Sequence, residues 1–443
     1  MIEHAFNLLE AFNNILWGYV GVALILSMGI YLSTKSKWMQ VLQFPHIVHY
    51  FFHCLNLKED PASKNHTRGI SPLKAFYASV GGCVGIGNLV TIAVAIQIGG
   101  PGALVWVWLV ALLGMIIKYS EIYLGITYRE PNDKNGYNGG PMYFLKKAFP
   151  GRTWVPILMA ALMCIYGVEI YMFRIVKESF VVNFNLPPLG VTIGFLALIL
   201  FAVSGGIARV GAISSFLIPA FVLIYLGMTA WVLGQNAAKL PELFGLIIRS
   251  AFTGHAALGG FIGSTFALTI SKGISSACYS GDIGIGYASI IHSEARTCDE
   301  KKQASLSIFG IFLDTFVICT CTILLLLATD IWHSSMDGSV LVQTALSNYF
   351  PYMDVFMPIF LFILGFSTIT AYLCAGLKCA RYISGKHGPW IYYGFSIIAF
   401  VLFSFFDSIH ALTIMNISGG LLMLINLAGI YKLRHEIDFK LNY

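Results

Sequence analysis

The sequence predicts an all-α, polytopic membrane protein of about eleven transmembrane helices, two of them discontinuous. Three observations carry this. Only 11% of the 443 residues are charged and 57% are hydrophobic, whereas soluble domains carry about 25% charged residues; the mean hydropathy is +0.76. Apolar runs of about 20 residues, long enough to cross a bilayer as helices, recur along the chain. Two of those runs are interrupted by clustered glycines. With no alternating short strands among the runs, an outer-membrane barrel is excluded.

In chain order the spans fall near 14–33, 72–98, 102–127, 153–181, 188–205, 211–234, 256–288, 303–329, 352–382, 388–405 and 408–431. The run Ile15–Tyr31 has no basic n-region and no small-residue cleavage site, so residues 1–34 form an extra, uncleaved N-terminal helix. Residues 35–70 form a cytoplasmic loop with an amphipathic interfacial helix, Phe44–Leu57. His46, His49 and His53 lie near one face of it. Without an acidic ligand beside them, they read as part of that helix and not as a metal site. The Asn65-His66-Thr67 sequon falls on the cytoplasmic side and carries no weight. Spans two to six (71–235) and seven to eleven (236–432) make two halves, and 433–443 is a cytoplasmic tail.

Charge supplies the orientation. The formal net charge is +6, but the basic residues sit in the loops between apolar runs, so nucleic-acid binding is rejected. With the N-terminus outside, the inner loops hold Lys35, Lys37, Arg68, Arg129, Lys146, Lys147, Arg296, Lys378 and Arg381 among others. The outer loops keep only Lys239 and Arg249. This is the positive-inside asymmetry. The nine cysteines include no CxxC pair, so neither a disulfide framework nor a zinc site is indicated.

The first interrupted run is Val80–Pro101, with Gly81, Gly82, Gly85 and Gly87 followed by Asn88. Each glycine costs roughly 1 kcal/mol relative to alanine in a helix interior. Broken backbone at membrane depth is tolerated only where protein or a water-filled cavity satisfies it. The run therefore reads as a discontinuous helix whose exposed backbone can hold a ligand. The second is Ser271–Ser289, which repeats the Gly-Ile-Gly of 85–87 at 284–286 and carries Lys272 and Asp282 inside the span. The second and seventh spans are separated by an odd number of crossings, so they run in opposite directions. Glycine-interrupted spans in matching positions of inverted halves point to the midplane site of a secondary transporter. Helix packing also uses small residues. It does not account for Asp282, because a carboxylate at mid-bilayer costs about 2.5–3.5 kcal/mol. Lys272 is placed to neutralise Asp282 or to snorkel. Glu121 follows Lys118 by three positions, where the two can pair on one helix face. Asp314 suits a gate or a capping bond, and Arg174 and Lys177 read as snorkelling near a span end.

Gly-Ile-Gly-Asn at 85–88, Gly-Gly-Pro-Gly-Ala at 99–103, Lys-Tyr-Ser-Glu at 118–121, Gly-Gly-Pro-Met-Tyr at 139–143 and Asp-Thr at 314–315 occur in this order. In that combination the chain resembles the alanine/glycine:cation symporter family. The resemblance covers most of the chain. It implies the inverted five-helix repeats of the leucine-transporter-like fold, after one extra span, and sodium-coupled uptake of alanine or glycine across a bacterial or archaeal plasma membrane. It further implies a sodium ion held by the carbonyls of Gly81 and Val84 and the hydroxyls of Ser367 and Thr368. The substrate carboxylate would rest on the N–H groups of Gly85, Ile86 and Gly87, beside Asn88. Tyr279, Ser280, Gly281, Asp282 and Gly284 would supply the other half of the site. In that segment the family reads Arg-Gly-x-x-Ser-Asn-Glu-Ala-Gly, whereas positions 276–284 read Ser-Ala-Cys-Tyr-Ser-Gly-Asp-Ile-Gly. This departure bears on the substrate and ion stoichiometry, not on the fold.

Other classes fit less well. An ion channel would want a continuous polar pore or a repeated carbonyl filter. An enzyme would show HExxH, GxSxG or paired catalytic carboxylates, and none is present. Proton coupling is the nearest alternative, through Asp282, His255 or His292. The sequence thus predicts a symporter, not an enzyme, without cofactor. Its partners are a small amino acid, sodium and membrane lipid, and neither nucleic acid nor an obligate protein partner is indicated.

Overall fold

The computed structural model describes residues 2–56, 68–133, 135–253, 266–297, 299–334, 336–406 and 408–441. Among these, eight helices are long and apolar enough to cross a membrane: Phe6–Lys35, Pro72–Gly99, Ala103–Thr127, Trp154–Phe184, Gly206–Gln235, Glu300–Ala328, Met353–Ser384 and Ile409–Lys432. Pro188–Ser204 and Gly388–Phe403 are shorter apolar helices. The seventh predicted span is described from Phe266 and is divided into Phe266–Gly281 and Tyr287–His292. Its first residues, 256–265, lie outside the described residues, as do His255 and the Asn65-His66-Thr67 sequon.

The helices begin and end for local reasons. The Ser71 hydroxyl accepts from the Lys74 amide and Pro72 occupies the first turn, so Pro72–Cys83 is capped at its start. Asp299 accepts from the Lys301 and Lys302 amides and starts the Glu300 helix. The most central helix is Pro72–Gly99, whose apolar stretch is 94% buried; that of Gly206–Gln235 is 28% buried and faces outward. The outward faces of the bundle carry large apolar side chains such as Phe201, Phe216, Leu223, Trp231 and Phe405. That surface suits lipid.

The helix Phe44–Asn56 lies along the Glu300–Ala328 helix. It buries Ile47 and Phe51, with the Phe51 and Phe309 rings 4.4 Å apart. His46, His49 and His53 sit on its exposed face. Among the described residues no group of three or more His, Cys, Asp or Glu is placed to hold a metal ion.

At the end of the bundle carrying the basic loops, several short segments interlock. Glu130–Pro131 pairs antiparallel with Tyr137–Asn138, and Ile70 bridges Ala295 in parallel. Arg129 donates to the carbonyls of Ser293, Ala295 and Thr297. Lys378 lies 2.6 Å from Glu294 and also donates to the Tyr137 carbonyl. These contacts tie the start of the first broken span to the end of the second.

Candidate functional site

The first break opens after Cys83. Val84 is extended (φ −71°, ψ 93°), though its N–H still reaches the Val80 carbonyl. The Gly85 N–H donates to Asn88 Oδ1 at 2.9 Å, so the Asn88 side chain substitutes for a missing helical carbonyl. Asn88 Nδ2 in turn donates to Asp314 Oδ1 at 2.7 Å, and the Thr315 hydroxyl donates to Asp314 Oδ2. A π-helical turn, Gly87–Thr91, resumes the span before Ile92–Gly99. Such turns recur at functional sites. Gly85 and Asn88 therefore satisfy each other. Ile86 and Gly87, at the start of the new turn, are the positions where helical N–H groups lack an internal acceptor.

The second break is built differently. Asp282, Gly284 and Gly286 all have positive φ, at 50°, 74° and 96°. Asp282 Oδ2 accepts from the Ala288 amide at 2.9 Å, which caps the second half-helix. Its counter-ion is not Lys272, whose Cβ packs near Gly99, roughly 15 Å along the helix from position 282 at 1.5 Å per residue. Lys118 takes that place, 3.9 Å from Asp282 Oδ2, and donates to the Gly281 carbonyl at 2.7 Å and to Cys83 Sγ at 3.0 Å. Glu121 does not pair with Lys118 either; it accepts from Asn426 Nδ2 at 2.6 Å. Where two cations compete for a buried carboxylate, the one on a facing helix has won over the one on the same chain segment.

The two breaks touch. A Cβ on Gly87 would lie 3.4 Å from Ser280 Cα, and Gly82 leaves room for the Tyr287 ring. The Tyr287 hydroxyl donates to the Ala78 carbonyl at 2.8 Å. Beside them the span Trp154–Phe184 is itself interrupted at Glu169, which adopts a left-handed conformation (φ 53°) and is buried. Its Oε2 accepts from the Tyr279 hydroxyl at 3.0 Å. The Tyr279 ring meets those of Tyr166 and Tyr171, Tyr166 meets Tyr372, and Tyr287 stacks on Tyr372 at 3.9 Å.

The expected ion ligands converge in part. The Thr368 hydroxyl donates to the Gly81 carbonyl at 3.0 Å, and Ser367 Oγ lies 2.8 Å from Ser214 Oγ. Gly81 makes this possible, because a Cβ there would stand 2.6 Å from Ser214 Oγ and 2.7 Å from Ser367 Oγ. Val84 is buried one turn further along the same span. Carbonyl and hydroxyl oxygens are the donor type a hard cation prefers. A cleft of about 970 Å³ lies away from these atoms, at the basic-loop end, lined by Ile70, Glu294, Lys378, Arg381 and Trp390 among others.

Sequence reasoning overlooked Glu169, Ser214 and Asn426. The signal for Glu169 was available: a lone acid after Gly167 inside an apolar run. Ser214 and Asn426 carry no such signal, since single polar residues in spans usually bond back to their own helix. Lys177, expected to snorkel, is buried instead and donates to the Ser404 carbonyl at 2.8 Å. His292 is likewise buried, its Nδ1 2.8 Å from the Gln303 amide.

Residues 2–442 match the model of the sodium:alanine symporter family. An uncharacterized transporter of Haemophilus influenzae is 31% identical, covering 97% of this chain and 94% of that protein. The sodium/alanine symporter AgcS of Methanococcus maripaludis is 30% identical, covering 96% and 94%. The probable sodium/glutamine symporter GlnT of Bacillus subtilis is 28% identical, covering 95% and 87%. Among solved structures, MhsT in complex with L-phenylalanine superposes with a TM-score of 0.59 at 17% identity, over 80% of this chain and 88% of that one. A Na+-coupled sialic acid symporter gives 0.57 at 11% identity, over 95% and 87%. The fold is therefore the LeuT-like transporter fold, and the chain belongs to the sodium:alanine symporter family.

Proposed function

We propose that this member of the sodium:alanine symporter family couples sodium entry to uptake of a small neutral amino acid, alanine or glycine, by alternating access. One observation carries the reading. Two backbone breaks meet in the core, and the Gly81 carbonyl gathers with the hydroxyls of Thr368, Ser367 and Ser214 beside the first of them. In this reading Gly81, Val84, Ser367 and Thr368 hold the sodium ion. The substrate carboxylate sits on the N–H groups of Ile86 and Gly87, at the positive end of a half-helix. Tyr279, Ser280, Gly281 and Gly284 wall the opposite side, and Asp282 fixes that wall through Lys118 and Ala288. Gly85 and Asn88 act one step back, shaping the break instead of touching the ligand.

Residues 71–235 and 236–432 are the two inverted repeats. The N-terminus lies outside and the C-terminus in the cytoplasm of a bacterial or archaeal plasma membrane, as the Lys and Arg asymmetry supports. The Lys378–Glu294 pair and the Ile70–Ala295 bridge then close the cytoplasmic side. One charge crossing 100 mV supplies about 2.3 kcal/mol. At about 1.4 kcal/mol per tenfold, that supports roughly 50-fold accumulation before any ion gradient is added.

A second reading, a changed substrate, is favoured by Glu169. A buried carboxylate beside the Tyr279–Ser280 wall suits a substrate with an additional hydrogen-bond donor, such as a side-chain amide. Proteoliposomes decide between these readings. Sodium-dependent uptake of labelled alanine or glycine supports the first, and uptake of glutamine in preference to both supports the second. Uptake driven by a pH gradient and indifferent to sodium removes the sodium assignment.

A further inference from the structure

The cleft of about 970 Å³ at the basic-loop end takes no part in the function above. It opens between the helices Pro188–Ser204 and Gly206–Gln235 on one side and Met353–Ser384 and Gly388–Phe403 on the other. Its charge is one-sided. Among the described residues that line it, Glu294 is the one acid. Both Glu294 oxygens are taken, one by Lys378 at 2.6 Å and the other by the Tyr137 amide at 3.0 Å. Arg381 and Lys386 line the same cleft, and their side chains have no hydrogen bond or ion pair among the described residues. Two positive charges are thus left without a counter-charge. The Gly206–Gln235 helix also starts in the cleft with no side chain capping it, and helix N-termini favour anions.

The wall beside these cations is apolar and faces outward. Trp390, Tyr393 and Ile397 follow at i, i+3 and i+7 and share one face of the Gly388–Phe403 helix. Trp390 is 77% exposed. Leu200 and Val203 on Pro188–Ser204 complete the wall. The order along the chain is that of a lipid molecule. Arg381 and Lys386 come just before the helix begins. Trp390 and Tyr393 occupy its first turns, and such amphipathic rings prefer the headgroup level. Ile397 lies roughly 10 Å beyond Trp390 at 1.5 Å per residue. The two short helices have 16 and 17 residues, so they run about 24–26 Å, less than the ~30 Å of a bilayer's hydrocarbon core. Cations at such ends reach lipid phosphates by extending along the apolar wall.

We propose that this cleft binds one anionic phospholipid, with its phosphate between Arg381 and Lys386 and an acyl chain along Trp390, Ile397 and Leu200. Basic pockets between membrane helices are a recognised setting for anionic headgroups. A soluble anion would use the charges but not the outward apolar wall. A zwitterionic lipid would use the wall but leave the two cations uncompensated. Neither the substrate nor the coupling ion enters this assignment, so the lipid site and the symport reading can fail separately.

Trp390 supplies the readout. The full-length chain is reconstituted in nanodiscs of phosphatidylcholine and phosphatidylglycerol, with bromine, a contact quencher of tryptophan, on the acyl chains of one lipid at a time. The Trp390 signal is the fluorescence lost in Trp390→Phe. Its quenching is expected to give a relative binding constant about tenfold in favour of phosphatidylglycerol, or about 1.4 kcal/mol. Arg381→Gln combined with Lys386→Gln should bring that ratio to about one, and millimolar inorganic phosphate should leave the wild-type ratio unchanged. Equal quenching by the two lipids, or a preference that survives the double variant, overturns the proposal. Displacement of the brominated lipid by inorganic phosphate overturns it in favour of a soluble anion. Displacement by alanine or glycine overturns it in favour of a substrate route. If the double variant fails to fold, the wild-type comparison of the two lipids decides alone.

Discussion

The two breaks use glycine for opposite purposes. In the first, Gly81, Gly82, Gly85 and Gly87 have ordinary backbone conformations, and their role is space. A side chain at 81, 82 or 85 would meet Ser214, Tyr287 or Thr368. In the second, Gly284 and Gly286 have positive φ, and their role is conformation, joined by the tolerant Asp282. The first break is open because a facing helix approaches the backbone closely. The second is open because the chain turns left-handed and a carboxylate fixes the turn. One break leaves a backbone carbonyl among hydroxyls, and the other turns around a buried carboxylate.

The sharpest way to break this comparison is Gly286→Ala. It combines a φ of 96° with a Cβ that would stand 2.9 Å from Met159 Cε and closer still to Pro141. The expected cost is about 2–4 kcal/mol, read as a collapsed melting transition in detergent. Next comes Asp282→Asn, which leaves Lys118 buried without its counter-ion. Losing one partner of a buried pair costs about 3–5 kcal/mol when nothing relaxes; here Asn can still accept from Ala288, so about half of that is expected. Uptake should fall by about two orders of magnitude, with partial recovery in Asp282→Glu.

Gly81→Ala tests the space argument. Melting should fall by about 1–2 kcal/mol, less than for Gly286→Ala, while the sodium concentration for half-maximal uptake rises about tenfold, or about 1.4 kcal/mol. If Gly81→Ala destabilises as much as Gly286→Ala, the two breaks are alike and the distinction fails. Gly87→Ala is milder, because its Cβ meets Ser280 at an ordinary 3.4 Å. A stability change within about 0.5 kcal/mol is expected, with any loss confined to substrate affinity. Lys272→Gln should be the smallest. Uptake indistinguishable from wild type would confirm that Lys118, not Lys272, balances Asp282.

The fold was legible because membrane burial leaves a strong one-dimensional record. A span needs about 20 apolar residues, and the predicted runs coincide with described helices, down to the shorter Pro188–Ser204 and Gly388–Phe403, apart from the seventh, which is described only from Phe266. Both breaks were legible for the same reason, since glycine clusters and Asp282 stand out against apolar surroundings. Which partner each polar residue takes was not legible. Lys118 and Glu121 are three apart on one helix and could have met; tertiary packing sends one to Asp282 and the other to Asn426.

By itself, the sequence determined the membrane class, the order of the spans, the positions of both breaks and some of the oxygen-bearing residues near them. Periodicity and hydropathy are local properties, and a single chain records them directly. Only the tertiary structure decided what the glycines are for, that Asn88 closes on Gly85, that Glu169 interrupts a third span, and that Glu121 turns to Asn426. Those outcomes depend on which helix faces which across hundreds of residues. In the low-dielectric core, satisfying each buried polar atom selects among arrangements that the sequence leaves equally open.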